Sequence, residues 1–358
     1  MRYLFIVQGE GRGHMTQAIS LRQILQSGGH EVCHVIVGKS PRRQIPSFFY
    51  EKIGSDIDEL ESPNFVTDKN QKSVKPFRSA VHSLIRSPQY KRSIATINKV
   101  VKEKQPDVIV NFYDFLGGLY NFFERPKARF VCLAHQYLIA HPTFTFPPGR
   151  PLDRTSLQVA NRITALGADR ILALSFQPFA HLPKKRLFVV PPLLREEVKK
   201  LTATTGESIL AYMVNPGYGE EVRKFHADQP EIPLDCFWDM KDKPKEWRVD
   251  DTLTFHQLDD QKFIEKMAVS KGYITTAGFE SVCEAMYLGK PTMMIPVQGH
   301  YEQACNAVDG QKAGAGIPND EFDIQKLVDY LPKYKDTSVW FKGWADQNTE
   351  MFLKYLQW

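Results

Sequence analysis

Four residues able to hold a phosphorylated ligand lie close together in the last third of the sequence. The pattern predicts a strand that ends at Thr276, a sharp turn at Gly278 and a helix that begins near Phe279. The N-terminus of such a helix offers unpaired backbone N–H groups at the carboxyl end of a strand, where open α/β sheets bind phosphates. Ser281, in the first turn, adds a hydroxyl donor. The sequence therefore predicts a phosphate site at this turn.

Three further polar side chains follow in the same segment, and one of them, Glu284, is suited to sugar hydroxyl groups. Glu284 lies on the helix just described, and a second predicted helix, which opens near His300, carries Glu302 and Gln303. A carboxylate beside a phosphate site can accept hydrogen bonds from ribose hydroxyls. An ordinary βαβ unit with a tight turn explains the glycines here but gives no reason for the acidic residues. We therefore interpret the segment as a sugar-nucleotide site.

A second candidate site lies at the start of the sequence, where a strand over Tyr3–Val7 leads into a glycine-rich loop. The loop, Gly9–His14, precedes an apolar helix pattern that ends at Gly28-Gly29, so that it opens a βαβ unit. Its G-x-G-x-G spacing differs from the dinucleotide fingerprint G-x-G-x-x-G, and no acidic residue clearly closes the second strand. Both differences weaken a dehydrogenase interpretation. His14 falls at the helix start, where it is either a cap or a catalytic residue.

Asp114 follows another predicted strand, Asp107–Asn111, and so lies at a strand carboxyl end like His14. Aspartate is a preferred N-cap residue, and this position permits that structural role. A carboxylate so placed can also hold a histidine in one tautomer and raise its basicity, as in a His-Asp general base. Both interpretations of Asp114 are open from the sequence.

The length and composition indicate a globular protein of two domains. The chain has 358 residues, 42% of them hydrophobic and 24% charged, and exceeds the size at which single cores stop growing. Residues 1–200 carry 30 basic and 16 acidic side chains, whereas residues 201–358 carry 16 and 25, so the two halves differ in charge. The five cysteines are scattered and form no C-x-x-C pair, which favours reduced thiols in a cytosolic compartment. No apolar stretch approaches membrane-spanning length.

A strongly basic segment extends from Lys69 to Lys104 and contains ten Lys or Arg residues and one acid, Glu103. Interleaved apolar residues predict one or two amphipathic helices with a basic outer face. Such a face either is simply solvated or contacts an anionic membrane surface, where each basic residue contributes roughly 1 kcal/mol. No recognised module supports binding to nucleic acid.

Strand and helix patterns alternate in both halves of the chain, which predicts an α/β protein of two Rossmann-like β/α/β domains. We expect an N-terminal domain over residues 1–195 and a linker over residues 196–206, where charges, threonines and a glycine interrupt the pattern. A second domain is expected over residues 207–335. The aromatic-rich segment 336–358 is expected to be docked rather than frayed.

The segment described first resembles the donor-nucleotide signature of GT-B glycosyltransferases, both MurG-like N-acetylglucosaminyltransferases and UDP-glucosyl and glucuronosyl transferases. That signature runs roughly [H/S]-x-G-x-[N/x]-[S/T]-x-x-E, then G-x-P, then [D/Q]-Q-x-x-N-A. The matching positions here are Thr276, Gly278, Ser281, Glu284, Gly289, Pro291, Glu302, Gln303, Asn306 and Ala307. Near the N-terminus, GRGHMTQA resembles the G-x-G-H-x-x-x-A loop, and VNFYDFLGGL the aspartate loop, of the same transferases.

The resemblance implies a GT-B fold with two domains facing across a cleft, in which the terminal segment forms a helix that packs back on the first domain. It implies transfer of a hexose or N-acetylhexosamine from a nucleotide-sugar, a UDP-sugar above all, to an acceptor hydroxyl. The acceptor is expected to be a carbohydrate or a lipid-linked glycan of cell-envelope or polysaccharide biosynthesis. His14 is then the general base and Asp114 its orienting partner. We expect no metal and no cofactor, and a cytoplasmic location, peripheral at the inner face of the membrane.

The resemblance also distributes the binding residues between the two domains. Acceptor contacts are expected at Gly13, His135 and Gln136. Donor contacts are expected at Thr276, Gly278, Phe279, Ser281, Glu284, Glu302, Gln303, Asn215, Gly217 and Leu258. Retaining GT-B transferases carry the pattern E-x7-E ending at the position of Glu284, but Thr276 stands at its first position, which favours inversion. A UDP-sugar 2-epimerase and a non-catalytic nucleotide-sugar module are the alternatives.

Overall fold

The computed structural model describes residues 1–40, 44–63, 88–213, 217–240 and 243–357. The chain divides into two compact units, one formed by Met1–Arg195 with Asp346–Trp358 and the other by Glu196–Ala345. Each unit contains a largely parallel sheet whose strands alternate with helices along the chain. The predicted two-domain α/β fold of Rossmann-like units is therefore confirmed.

The first unit is built on a parallel sheet of seven strands. The strands are β1 (Arg2–Gln8), β2 (Glu31–Lys39), β3 (Ile57–Glu61), β4 (Val108–Phe112), β5 (Arg129–Ala134), β6 (Arg170–Leu174) and β7 (Leu187–Val190). Their order is β3-β2-β1-β4-β5-β6-β7, so that the direction of winding reverses between β1 and β4. Strands β1 and β4 are almost wholly buried, as expected for central strands that helices cover on both faces. Ligands of such sheets bind beside the carboxyl ends of the strands at this reversal.

The helices of the first unit follow its strands in turn. They are α1 (Arg12–Ser27), α2 (Ser47–Ile53), α3 (Pro88–Lys104), α4 (Phe115–Glu124) and α5 (Pro151–Thr164), with short 3-10 helices at His135–Ala140 and Pro183–Lys185. Two of these elements are short, namely α2 with seven residues and β3 with five. Strand β3 has the sequence IDELE, with four partly buried residues and one exposed, so it lacks the apolar run of the central strands.

The second unit repeats this plan with one change. Its strands are β8 (Ile209–Met213), β9 (Leu234–Trp238), β10 (Glu246–Arg248), β11 (Leu253–Gln257), β12 (Gly272–Thr275), β13 (Thr292–Met294) and β14 (Gly316–Pro318). The order is β10-β11-β9-β8-β12-β13-β14, and only the β10 pairing with β11 is antiparallel among the described strands. Winding reverses between β8 and β12. This reversal predicts a second ligand-binding edge at the carboxyl ends of those two strands.

The helices of the second unit pack around that sheet. They are α6 (Glu196–Lys199), α7 (Tyr218–Asp228), α8 (Asp260–Val269), α9 (Phe279–Tyr287), α10 (Tyr301–Lys312), α11 (Ile324–Tyr330) and α12 (Ser338–Ala345). The segment predicted as a linker, 196–206, lies in this unit. The N–H of Thr204 donates to the carbonyl of Ala268 at 2.9 Å, and the buried Lys290 amine donates to the carbonyls of Thr204 and Ser270 at 2.5 and 2.9 Å.

The last helix, α13 (Asn348–Leu356), belongs to the first unit. The Tyr3 hydroxyl donates to the carbonyl of Leu356 at 3.2 Å, and the Arg170 guanidinium donates to the carbonyl of Tyr355 at 2.8 Å. Helix α12, which precedes it, lies in the second unit. The aromatic segment over residues 336–358 is thus divided between the units rather than packed as one helix.

The basic segment from Lys69 to Lys104 is only partly within the described residues, because residues 64–87 lie outside them. Helix α3 covers the remainder. It buries Ile97, Val100 and Val101 and exposes Lys91, Arg92, Lys99 and Lys102, which is the predicted amphipathic pattern with a basic outer face. Within the described ranges, no helix is long and apolar enough to cross a membrane.

Candidate active site

The predicted acceptor-side residues all follow strands of the first sheet. His14 lies in the first turn of α1 after β1, and Asp114 follows β4, so that the two flank the reversal of winding. His135 and Gln136 open the 3-10 helix after β5. Gly13 is half-buried beside His14 in the first turn of α1. Each position therefore lies at the carboxyl edge of the sheet, which the sequence predicted for His14 and Asp114.

The His14 imidazole is buried and held by two amide side chains. Its Nδ1 lies 3.1 Å from Oε1 of Gln17, and its Nε2 lies 3.4 Å from Nε2 of Gln136. Tyr113 stacks on the ring, with the ring centroids 5.8 Å apart and the planes inclined by 20°. Burial lowers the pKa of His14 to about 4, although the Gln17 hydrogen bond acts in the opposite direction. The imidazole is therefore neutral at neutral pH and able to accept a proton.

Asp114 is the N-cap of α4. Its Oδ1 accepts hydrogen bonds from the N–H groups of Leu116 at 2.8 Å and Gly117 at 3.3 Å. Oδ2 lies beside Gly38, where an added Cβ would come within 2.1 Å of it. Burial raises the pKa of Asp114 to about 6, against the effect of Ser62 and the two N–H groups. Of the two roles open from the sequence, the structure shows the cap.

The hydrogen bonds of Asp114 Oδ1 are those of a helix cap, so its role as the orienting partner of His14 stays a prediction. Both ring nitrogens of His14 face amides instead, Nδ1 that of Gln17 and Nε2 that of Gln136. The physical reason is local, because a carboxylate at an N-cap turns toward the unpaired N–H groups of its own helix. The glycine at position 38 leaves the room into which its second oxygen fits.

Sequence reasoning missed a network that supports the His14 ring. The residue that stacks on the ring, Tyr113, adopts a left-handed backbone conformation with φ of 61°. Its hydroxyl donates to Oδ1 of Asn161 at 2.6 Å, and Nδ2 of Asn161 donates to the carbonyl of Gln136 at 2.6 Å. The contacts join three separate segments of the chain, so no local pattern signals them. The position of Tyr113 directly before Asp114 is the only hint.

His135 has a structural contact of its own. Its Nδ1–H donates to the carbonyl of Leu174 at 2.8 Å, which ties the end of β5 to the end of β6. Burial lowers the pKa of His135 to about 4. Its ring also packs edge-on against Phe176, with centroids 5.3 Å apart.

In the second unit the predicted phosphate turn connects β12 to α9. The sequence placed the sharp turn at Gly278, but Gly278 has an ordinary φ of −70° and the left-handed residue is Ala277, with φ of 58°. The assignment of the turn to Gly278 is therefore wrong. Nδ2 of the buried Asn306 donates to the carbonyl of Ala277 at 3.0 Å and stabilises this conformation. The sequence had noted Asn306 only as part of a pattern.

The local fold therefore does not need a glycine at position 278. A Cβ added there would meet nothing closer than Oγ of Ser281, at 3.6 Å. The Ser281 hydroxyl donates to the carbonyl of Gly278 at 3.2 Å and lies 3.4 Å from the Thr275 hydroxyl. The backbone at the start of α9 is thus left uncovered on the side where a side chain would project. Close approach of a ligand to backbone N–H groups requires such a space.

The other donor-side predictions also lie at or near the carboxyl edge of the second sheet. Thr276, Phe279 and Glu284 are buried. Gln303 is partly exposed on α10, and its Oε1 accepts from the N–H of Val297 at 2.8 Å, which fixes the loop after β13. Glu302 follows β13 and Leu258 follows β11, and both are half-buried. Gly217 follows β8 and is exposed. Asn215 lies outside the described residues.

Among the described residues, no group of three or more His, Cys, Asp or Glu side chains could hold a metal ion. The sites at the two sheet edges consist of backbone N–H groups, amides, hydroxyls, carboxylates and the two neutral imidazoles of His14 and His135. These groups suit hydrogen bonding to phosphate and sugar and the transfer of a proton.

Comparison with known proteins assigns the chain to a family and a fold. The sequence model described as glycosyl transferase family 1 matches residues 1–334. The chain belongs to this family. A relative from Methanosarcina acetivorans, named an uncharacterized glycosyltransferase, is 22% identical over 350 residues, which is 88% of this chain and 85% of the relative. The protein is a GT-B glycosyltransferase.

Solved structures of similar fold support the same architecture. UGT2 of Phytolacca americana, solved with UDP-2-fluoro-glucose and pterostilbene, has a TM-score of 0.64 at 14% identity and covers 99% of this chain and 100% of its own. The calicheamicin glycosyltransferase CalG4 has a TM-score of 0.61 at 15% identity, with 99% and 95% covered. At these identities the likeness concerns the fold.

Proposed function

We propose that this family 1 glycosyltransferase is inverting and moves a hexose or N-acetylhexosamine from a UDP-sugar to an acceptor hydroxyl of a glycan or lipid-linked glycan. The observation that carries the proposal is the neutral, buried His14 imidazole beside the reversal of winding in the first sheet. A neutral imidazole at this edge can take the proton of a hydroxyl group.

The second unit supplies the groups that would bind the donor. Backbone N–H groups at the start of α9, left uncovered at Gly278, would bind the diphosphate together with the hydroxyls of Thr276 and Ser281. Glu284 would accept from the ribose. Glu302 and Gln303 would contact the transferred sugar, and Phe279, Gly217, Leu258 and Asn215 would complete the nucleotide site.

The reaction would be a single displacement at the anomeric carbon. The acceptor oxygen forms a bond to that carbon while its proton passes to Nε2 of His14. The bond from the anomeric carbon to the diphosphate oxygen breaks, and UDP leaves. The dipole of α9 can stabilise the charge on the departing diphosphate, so no metal ion is needed. Thr276, where retaining enzymes of this pattern carry a carboxylate, favours one displacement over two.

A first experiment identifies the donor. Thermal unfolding is measured with UDP, GDP, dTDP and CMP, because a nucleotide at 100 times its Kd stabilises the fold by about 2.7 kcal/mol. We expect UDP to raise the Tm most. The same shift for CMP as for UDP would contradict selection of a UDP-sugar.

A second experiment tests the reaction itself. UDP-sugars are incubated with and without glycan acceptors, and the anomeric configuration of the product is read by proton NMR, with and without EDTA. We expect an inverted glycoside only with acceptor, at the same rate in EDTA. Retention of configuration, an epimerised UDP-sugar without acceptor, or loss of turnover in EDTA would each overturn the corresponding part of the proposal.

The basic outer face of α3 supports a second contact, with an anionic membrane surface. We propose that the segment from Lys69 to Lys104 binds such a surface, because α3 exposes four cations on one side. Flotation with anionic and neutral liposomes tests it. Binding to anionic liposomes alone is expected, and binding to neither would remove this proposal without affecting sugar transfer.

A further inference from the structure

Both ring nitrogens of His14 have amide neighbours, whereas the histidine of a His-Asp pair has a carboxylate neighbour. Gln17 lies three residues after His14 on α1, so both side chains share one face of the helix. Its Oε1 is 3.1 Å from Nδ1 of His14, and both side chains are almost fully buried. The helix itself therefore fixes the pair.

The Gln17 amide indicates where the imidazole proton resides. At Nδ1 the Gln17 oxygen can only accept a hydrogen bond, and on the other side of the ring the Gln136 amide nitrogen lies 3.4 Å from Nε2. Nδ1 therefore carries the proton, and the Nε2 lone pair points toward Gln136. An acceptor hydroxyl that replaces the Gln136 amide at this position would meet the basic nitrogen.

Groups from three elements face the ring: Gln17 from α1, Gln136 from the 3-10 helix after β5, and Tyr113 from the loop after β4. Tyr113 is titratable, and its hydroxyl is occupied with Asn161. Burial and the Gln17 hydrogen bond together account for the pKa of His14. Asp114, the predicted partner, caps α4.

We propose that Gln17, rather than Asp114, is the residue that positions His14, by accepting its Nδ1 proton and so presenting Nε2 to the acceptor. This inference rests on the proposed function for its catalytic consequence, but the tautomer it describes exists without substrate. An amide sets the tautomer without adding the negative charge that would stabilise an imidazolium. The base is thereby kept neutral, and ready to accept a proton, over a wide range of pH.

The first test is the pH profile of kcat/KM. Gln17→Glu places a carboxylate at Nδ1, and we expect the acid limb to move to higher pH by about 1–2 units. Gln17→Leu should lower kcat roughly 10- to 100-fold with an unchanged KM for the donor. Asp114→Asn, which preserves a cap, is the matched control and should leave the acid limb where it is. An unmoved limb in Gln17→Glu, or a shifted one in Asp114→Asn, would overturn the proposal.

The second test needs no activity. In protein labelled with 15N-histidine, we expect the His14 signals, assigned with His14→Gln, to show a protonated Nδ1 in the wild type and a mixture of tautomers in Gln17→Leu. The same tautomer in both would also overturn the proposal. If the wild type transfers no sugar while the NMR result holds, the proposed function fails and the role of Gln17 stands.

Discussion

The β1–α1 loop of the first unit and the β12–α9 turn of the second both border the strands between which their sheets reverse the direction of winding. In the first, the distinctive groups are side chains, because His14 lies between the amides of Gln17 and Gln136. In the second, the distinctive feature is the backbone, left-handed at Ala277 and uncovered at Gly278. Substitutions in the loop should therefore change the chemical step, and substitutions in the turn should change donor binding.

The largest effect should come from removing the base. His14→Ala should lower kcat by roughly 10²–10⁴-fold, since a general base contributes about that much. The Kd for UDP, measured by calorimetry, should stay within twofold of the wild type. Unchanged turnover in this variant would falsify the catalytic role of His14, and a lost UDP affinity would break the division between the two sites.

The next effect should come from covering the exposed backbone. Gly278→Ala meets nothing closer than 3.6 Å in the protein, so its Tm should be unchanged. Its added methyl group should nevertheless weaken UDP about 10- to 100-fold, or about 1.4–2.8 kcal/mol, if the diphosphate approaches this residue.

Gly343→Ala is the matched control for that substitution. It lies on the exposed side of α12 in the same unit, where an added Cβ has nothing within 4 Å. UDP affinity should be unaffected there. Equal UDP affinity in both variants would show that the diphosphate binds elsewhere.

Acid should lower the stability of the first unit, because two of its buried histidines are neutral in the folded state. Burial lowers the pKa of His14 and of His135 to about 4, below the usual value of 6.5. The pKa of each histidine is lower in the folded state than in the unfolded state. The resulting stability is complete above the pKa of the unfolded state and is lost as the pH falls from there toward the pKa of the folded state. Between about pH 7.5 and 5.5 each histidine should therefore remove roughly 1 kcal/mol of unfolding free energy.

Urea unfolding at the two pH values measures that loss, and His135→Gln should lose roughly 1 kcal/mol less than the wild type over the same range. Asp114 has the opposite sign, because its raised pKa stabilises the fold in acid and that stability is lost as the pH rises through about 6. An equal loss in His135→Gln and the wild type would show that His135 is not held neutral.

The smallest effect should come from Asn306→Ala. The substitution leaves the buried carbonyl of Ala277 without its 3.0 Å hydrogen bond, which should cost roughly 1 kcal/mol of stability and a few-fold in UDP affinity. Combining it with Ala277→Gly should recover part of the UDP affinity, since glycine adopts the left-handed conformation without steric strain. If Ala277→Gly recovers nothing, the conformation at Ala277 does not set the donor site.

The comparison also shows what a sequence can predict of such a molecule. Strands β1, β4 and β12 and the turns after them follow from apolar runs bounded by glycine and polar residues, so their positions could be predicted. The hydrogen-bond partner of Asp114 could not be predicted. An aspartate that caps a helix and an aspartate that orients a histidine both occur at the end of a strand, so the position alone does not distinguish the two roles. Nor could the left-handed residue, since Ala277 takes that conformation through Asn306, which is 29 residues away.

Gln17 lies only three residues from His14, but two other contacts around the ring join residues still further apart along the chain. Gln136 meets His14 across 122 residues and Tyr113 meets Asn161 across 48. Side-chain pairs at such separations leave no local period in the sequence. The site residues could be named from a resemblance, but their hydrogen bonds required the fold.

The position of α13 has a consequence for synthesis of the chain. The second unit is continuous from Glu196 to Ala345, whereas the first needs both its early strands and α13, which closes on Tyr3 across 353 residues. A chain growing from its N-terminus therefore makes all the strands of the first unit long before it makes the helix that completes it. We expect the first unit to become fully protected from protease only after α13 has emerged, although its strands are made much earlier.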